Sequence, residues 1–417
     1  MAAACAWVGR SPTKGVSPIQ VLSLLVVLAP VPVSSEGQGT ASRGAPREVA
    51  APLVEDRRCE RPETIGQRGS GPSPLSCFHE LRHRGLGHRL RGDWEPPDVL
   101  LLAFTERWSE SLADLAAIAE GQTRVFLLAD PAKHSPTEVR SWVSRHGLDP
   151  ERVVPLWLGH DTPWVRDYGP LQVIREDGEP EWLDARYVQA RPADDAIPPL
   201  LASRFGVPWE PVPIRLAGGA VISNGRGLCA STIEYLRESE LDVEDPGLMD
   251  PLLEKLGCRV LAVVPGLVAE KAHHIDMFAQ FLAADLVAVG DVDPAEGEED
   301  AGRMNEATRG LVEAAARLDI NLRVVRVPLP YLGSGKYRTY VNGLRLRNEF
   351  VVPSYSDVQE EVQLRAVQAI SEALPGVGVV PVPADKVIAL LGSLHCISLG
   401  LALPREGGRS PSLPWSD

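Results

Sequence analysis

Short paired strand signals alternate with single helix signals along most of this chain, a rhythm that few architectures accommodate. Residues 171–174 and 181–183 are strand-like and flank Glu176-Asp177-Gly178, and residues 278–282 and 286–289 flank Ala283-Ala284-Asp285. Each arrangement predicts a hairpin, because a short polar turn between two apolar runs lets antiparallel strands pair at once. Helical periodicity is found over residues 197–205, 251–256, 305–318 and 358–374. Earlier, residues 99–104 (Val-Leu-Leu-Leu-Ala-Phe) read as a buried strand, 108–120 as an amphipathic helix and 125–129 as the next strand. Ser135-Pro136-Thr137-Glu138 combines an N-cap, a proline at the first helical position and a capping-box glutamate, predicting a helix that stops near Gly147. A doubly wound parallel sheet alternates strands and helices one for one and leaves no place for the hairpins. A mixed plan of repeated β-β-α-β units fits. No strict sequence repeat is present, so the pattern does not count the units.

The 417 residues allow two or three average domains or one large α/β domain. Hydrophobic residues make up 44% and charged residues 24%, enough for a substantial core, and the net charge of -14 argues against a nucleic-acid partner, whose footprint is basic. At the amino terminus Arg10 and Lys14 precede an apolar stretch over 21–33, broken by Pro30 and Pro32, and then Ser34 and Ser35. Residues 1–35 therefore read as a secretory signal, too short and too broken to span a bilayer, although no clean Ala-x-Ala site follows. Without a signal the chain would be cytoplasmic; with it, secreted or periplasmic, with no stable membrane insertion. Residues 36–91, rich in Gly, Arg and Pro, read as a flexible extension, 92–405 as a catalytic domain and 406–417 as a disordered tail.

No Cys-x-x-Cys pair occurs among the cysteines at 5, 59, 77, 229, 258 and 396, which argues against a structural zinc knuckle. With Cys396 reserved for chemistry, Cys59 with Cys77 and Cys229 with Cys258 are available to pair in an oxidising compartment; free buried thiols are the alternative.

Four polar segments interrupt apolar or glycine-rich surroundings. Trp164-Val165-Arg166-Asp167-Tyr168-Gly169-Pro170 sets an acid and a base between an aromatic ring and a Gly-Pro turn; on its own it reads equally well as a surface turn. In His273-His274-Ile275-Asp276, strand geometry would point His274 and Asp276 to one side, as a catalytic or ligand pair or as a satisfied core histidine. Gly392-Ser393-Leu394-His395-Cys396-Ile397-Ser398 places a thiol between a polar turn and an apolar strand, where either a nucleophile or an inert small hydrophobe fits. Thr339-Tyr340-Val341-Asn342-Gly343 is a strand–turn signal.

Taken in order, with Asp93-Trp94-Glu95-Pro96-Pro97, Gly218-Gly219 and Asn224-Gly225-Arg226-Gly227, these segments resemble the agmatine deiminase and Porphyromonas-type peptidylarginine deiminase family over some three quarters of the chain. The resemblance implies a single catalytic domain, a fivefold pseudosymmetric α/β propeller of ββαβ units around a central site. It implies Cys396 as nucleophile, His274 as acid–base histidine, and Asp167 and Asp276 as the carboxylates that hold a guanidinium, with Trp164 and Asn342 lining the substrate pocket. The implied partner is a small molecule or peptide bearing a guanidinium, and neither a metal nor an organic cofactor is required. Two carboxylates suit that ligand because a planar, delocalised cation presents paired N–H donors.

The chain departs from the family at Ala220 and Asn224, where family members commonly carry a hydrogen-bonding residue and an aspartate. The glutamines often seen after the cysteine in agmatine-specific members are also missing from Ser398-Leu399-Gly400-Leu401. The motifs therefore do not separate agmatine from free or peptidyl arginine. Two competing readings follow: a secreted guanidinium-binding protein with impaired catalysis, and a metal-dependent hydrolase using His160, Asp161, His274 and Asp276.

Overall fold

The hairpin over 171–183 forms as strands Leu171–Arg175 and Pro180–Arg186; helix Ile197–Phe205 then returns the chain to Trp209–Arg215, parallel to the second strand. In the computed structural model, which describes Cys59 and residues 76–81, 85–188, 190–333 and 335–405, this unit recurs. Ile222–Ser223 and Leu228–Thr232 are antiparallel, and Val260–Val264 follows in parallel after helices Ile233–Glu238 and Pro246–Leu256. The same order is kept by Ala279–Ala283, Leu286–Asp291, helix Pro294–Ala316 and Arg323–Pro328. It is kept again by Leu344–Arg345, Glu349–Ser354, helix Glu360–Ala373 and Gly378–Pro383.

The remaining sheet is assembled from both ends of the domain. Ser398–Leu401 pairs antiparallel with Val99–Ala103, which runs parallel to Arg124–Ala129 after helix Ser109–Glu120, with Val153–Trp157 added beyond. Among the described residues, five sheets of one plan thus give the fivefold pseudosymmetric α/β propeller. Every residue of Val99–Ala103 is buried, as a strand covered on both faces requires, which explains its unbroken apolar run. Neighbouring units share cores: Leu100, Leu127 and Trp142 belong to one apolar cluster with Phe350, Val352 and Ile370.

Local signals set most element limits. Ser135 accepts from the Glu138 N–H and the Glu138 side chain accepts from the Ser135 N–H, so the predicted capping box starts helix Pro136–Arg145, and Gly147 beyond it adopts φ 68°. Such a cap contributes about 1 kcal/mol. Two helices begin earlier than predicted. Pro246–Leu256 is capped by Asp245 and continues through Pro251, where the predicted helix starts; Pro294–Ala316 is capped by Asp293, and its first turn carries no buried apolar residue.

The stretch 36–91 is not wholly an extension. Among its described residues, Cys77–Glu80 pairs with Val260–Val263 and His88–Leu90 with Val173–Arg175, each an added edge strand. These strands are too short to show a period, so composition masked them. Disulfides join Cys59 to Cys77 and Cys229 to Cys258, and Cys396 is a free buried cysteine. The predicted signal over 1–35 and the tail over 406–417 lie outside the described residues.

Candidate active site

The polar segments occupy equivalent positions, each leading into the first strand of a unit. Trp164–Asp167 precedes Leu171, Gly218-Gly219 precedes Ile222, His274–Asp276 precedes Ala279, Asn342 precedes Leu344, and His395-Cys396 precedes Ser398. Pseudosymmetry therefore gathers residues that the sequence keeps far apart. The segments are tied to one another. The Arg166 N–H donates to the Cys396 carbonyl (3.2 Å), the His395 N–H donates to the Asn342 carbonyl (3.1 Å), and the Asn342 side-chain amide donates to the Asp276 carbonyl (3.1 Å).

His274 and Asp276 do share one side, but not through strand geometry. His274 caps a single 3-10 turn, Ile275–Met277, and His273 before it takes φ 54°. The reversal is local and polar, and the strand signal in the apolar residues belongs to Ala279–Ala283 just beyond. His274 Nδ1 lies 3.4 Å from Asp167 Oδ1, and its ring meets Tyr235 edge-on at 5.5 Å. Gly219 makes this possible. A β-carbon there would stand 2.8 Å from His274 Nδ1, 2.9 Å from Asp167 Oδ1 and 3.0 Å from Asp276 Oδ2.

A cavity of about 310 Å³ opens onto this cluster, and Trp164, Asp167, His274 and Cys396 are on its wall. Trp164 is held against Trp108 at a ring distance of 5.0 Å and is packed by Gly392, where a β-carbon would fall 2.4 Å from the indole. Asp276 and Asn342 are fully buried and do not line the cavity. Asn342 is thus a support and not a pocket residue, because its Oδ1 accepts from the His395 N–H (3.1 Å) and faces Cys396 Sγ at 3.5 Å. Asp276 Oδ1 has no hydrogen-bond partner among the described residues.

Sequence reasoning passed over Glu270, His395, Asp93 and Arg166 as site residues. Glu270 Oε2 accepts from the His274 N–H (2.9 Å) and Oε1 from the Ala272 N–H (3.0 Å), fixing the loop that presents His274. His395 Nδ1 lies 2.7 Å from Asp276 Oδ2, and Arg166 donates to Asp93 Oδ1 at 2.8 Å. Adjacency to Cys396 was the only sequence signal for His395; nothing local marked Glu270.

Charge follows from this packing. Burial raises the Asp167 pKa to about 6, with neighbouring Asp276 adding to the rise and His274 opposing it. Burial, then Asp276 and Asp167, push the Cys396 thiol well above its ordinary value. The resting thiol is consequently protonated at neutral pH. Its thiolate fraction should grow about tenfold per pH unit below its pKa, so inactivation by iodoacetamide should be slow at pH 7 and still accelerating at pH 9. A rate already level by pH 7 would contradict this electrostatic picture.

The alternative metal set is not assembled. The His160 ring nitrogen Nδ1 faces the Leu158 carbonyl, and Asp161 Oδ2 accepts from the Ala193 N–H. Among the described residues no cluster of three or more His, Cys, Asp or Glu side chains has metal-site geometry. Ala220 and Asn224 also stand apart from the cavity. Asn224 Oδ1 accepts from the N–H groups of Arg226 and Leu228 and its amide donates to the Ala284 carbonyl, so it shapes a hairpin turn.

A family model described as Porphyromonas-type peptidyl-arginine deiminase matches residues 89–401. Agmatine deiminase from Stutzerimonas stutzeri is 22% identical over 354 residues, spanning 75% of this chain and 95% of that protein. Its counterpart from Pseudomonas aeruginosa is 23% identical over 373 residues, spanning 78% and 98%. Among solved structures, agmatine deiminase of Enterococcus faecalis superposes with a TM-score of 0.63 at 20% identity, covering 76% of this chain and 96% of that one. C. jejuni agmatine deiminase gives 0.62 at 20% identity, covering 77% and 98%.

Proposed function

This chain belongs to the Porphyromonas-type peptidyl-arginine deiminase family, and from that membership we propose that it hydrolyses a guanidinium to a ureido group and ammonia through a covalent bond to Cys396. The observation that carries the reading is the convergence of Cys396, His274 and Asp167 on one cavity wall, with Asp276 directly behind.

Asp167 on the cavity wall is the direct acceptor for the cation's N–H groups, with Asp276 buried behind it as the second carboxylate, and their pull places the central carbon against the sulfur. Docking a cation between the two acids cancels the negative field that raises the thiol pKa, so the substrate itself promotes thiolate formation. The thiolate adds to the guanidinium carbon, and His274 protonates the departing nitrogen, which leaves as ammonia. The resulting amidino-thioether is attacked by a water that gives its proton to His274. Collapse of that adduct expels the thiolate and leaves the ureido product. Neither Ala220 nor Asn224 lines the cavity, so the feature that motivated a catalytically impaired reading bears on a turn, not on the pocket.

The outer wall favours one class of tail. Arg191, Arg215 and Lys271 line the cavity beside Glu238, and Glu238 is paired with His273 at 3.3 Å. An arginine α-carboxylate, free or at a peptide's carboxyl end, suits this cationic rim, whereas the ammonium of agmatine is repelled. Each exposed charge contributes a few tenths to 1 kcal/mol, so arginine carboxylates should exceed agmatine in kcat/KM by on the order of tenfold. The double substitution Arg191→Gln with Arg215→Gln should erase that advantage. Assaying ammonia and ureido product from agmatine, arginine and an arginine-terminated peptide tests both parts. A folded protein that turns over none of them overturns the deiminase reading, and a preference for agmatine overturns the tail assignment. The two disulfides support the further reading that the chain acts in an oxidising compartment, outside the cytoplasm.

A further inference from the structure

We propose that His395 is a positioning residue that fixes the Asp276 carboxylate behind the cavity wall, itself set against Asp93 and Arg166. The proposal rests on the deiminase reading for the identity of the ligand, and on geometry for everything else.

The imidazole is almost completely enclosed, with a side-chain exposure of 1%. Nδ1 lies 2.7 Å from Asp276 Oδ2, and Nε2 faces Asp93 Oδ1 at 3.6 Å. Asp93 Oδ1 in turn accepts from Arg166 at 2.8 Å. Four charged groups from four segments therefore form one buried row behind the nucleophile. The titratable or permanently charged groups facing His395 are Asp276, Asp93, Arg166 and Asp167, with Arg91 beyond Asp93.

Burial and the Arg166 charge work against protonating the imidazole, but Asp276 and Asp93 outweigh them and raise its pKa. For Asp93, burial favours the neutral acid, yet Arg166 and His395 overcome it and the pKa is lowered. The row is thus held as alternating charges. One consequence is orientation: Oδ2 is engaged by Nδ1–H, which fixes the rotation of the Asp276 carboxylate and leaves Oδ1 unpaired. The other is charge: the raised pKa of His395 favours a cation beside Asp276, and Cys396 follows it directly in the chain, so that cation is fixed relative to the sulfur.

Binding measured by calorimetry in a Cys396→Ser background separates this from the deiminase reading, because no turnover is needed. In that background His395→Asn retains an amide donor near Asp276 but carries no charge. Arginine and agmatine affinity should fall about tenfold at pH 6, where the parent's imidazole is a cation, with the deficit shrinking toward pH 9 as the parent's imidazole loses its proton. In the otherwise native enzyme the same substitution should raise KM more than it lowers kcat. Asp93→Asn should behave differently: parental affinity at pH 5, then loss as pH rises and the less supported imidazolium gives up its proton. A folded His395→Asn protein with the parental pH profile overturns the proposal. If that variant does not fold, a pH-independent affinity for Asp93→Asn does so instead. A parent that binds guanidinium compounds but releases no ammonia would sink the deiminase reading and leave this one standing.

Discussion

Replacing Cys396 by serine is expected to abolish turnover while leaving the protein folded. The cysteine is 5% exposed and sits between the Asn342 amide oxygen and the cavity, so a hydroxyl of similar size finds an acceptor at the same place. Thermal stability should change by no more than about 1 kcal/mol. Catalysis should not survive, because a serine hydroxyl is far less acidic than a thiol and forms too little alkoxide to add to the guanidinium carbon. Removing a nucleophile of this kind costs on the order of 10⁴- to 10⁶-fold in kcat. The measurements are single-turnover ammonia release and a melting curve on the same sample. Full activity in the serine variant would falsify the covalent mechanism.

Gly219→Ala is expected to be the next most damaging change, and for a reason local to one methyl group. Gly219 does not take a left-handed φ, so alanine meets no backbone penalty there. The added carbon would instead stand within 3.0 Å of His274 Nδ1, Asp167 Oδ1 and Asp276 Oδ2 at once. Real β-carbons essentially never approach that closely, so at least one of these groups has to move. Displacing a positioned group by about 1 Å costs on the order of a hundredfold, and kcat/KM should fall by that factor or more. Gly178, with no atom within 4 Å of its added carbon, is the control for steric crowding, although its φ of 81° carries its own strain. An alanine at 219 that leaves kcat/KM within twofold of the parent would show that the three groups do not need their present spacing.

His395 and Asn342 show where sequence reading stopped short. Both lie inside recognised motifs, yet one was not singled out and the other was assigned to the pocket. Their roles depend on what stands behind the cysteine, and that is set by Asp93 and Asp276 from distant segments. Glu270 was missed for the same reason, since its two bonds to backbone N–H groups leave no mark on composition or period.

The sequence alone determined what depends on near neighbours. The capping box at Ser135 and Glu138, the hairpin over 171–183 and the buried run at 99–103 follow from contacts two to four residues apart. The family resemblance carried by the order of the polar motifs pointed to Cys396, His274, Asp167 and Asp276, and the fold brings these four together. Tertiary structure decided what stands beside each of them. The pairing of Ser398–Leu401 with Val99–Ala103 closes the first unit, and the shared position of each motif before its first strand brings His395 to Asp276 across 119 residues. A local pattern carries no information about such a contact, because the geometry that creates it belongs to the repeat as a whole.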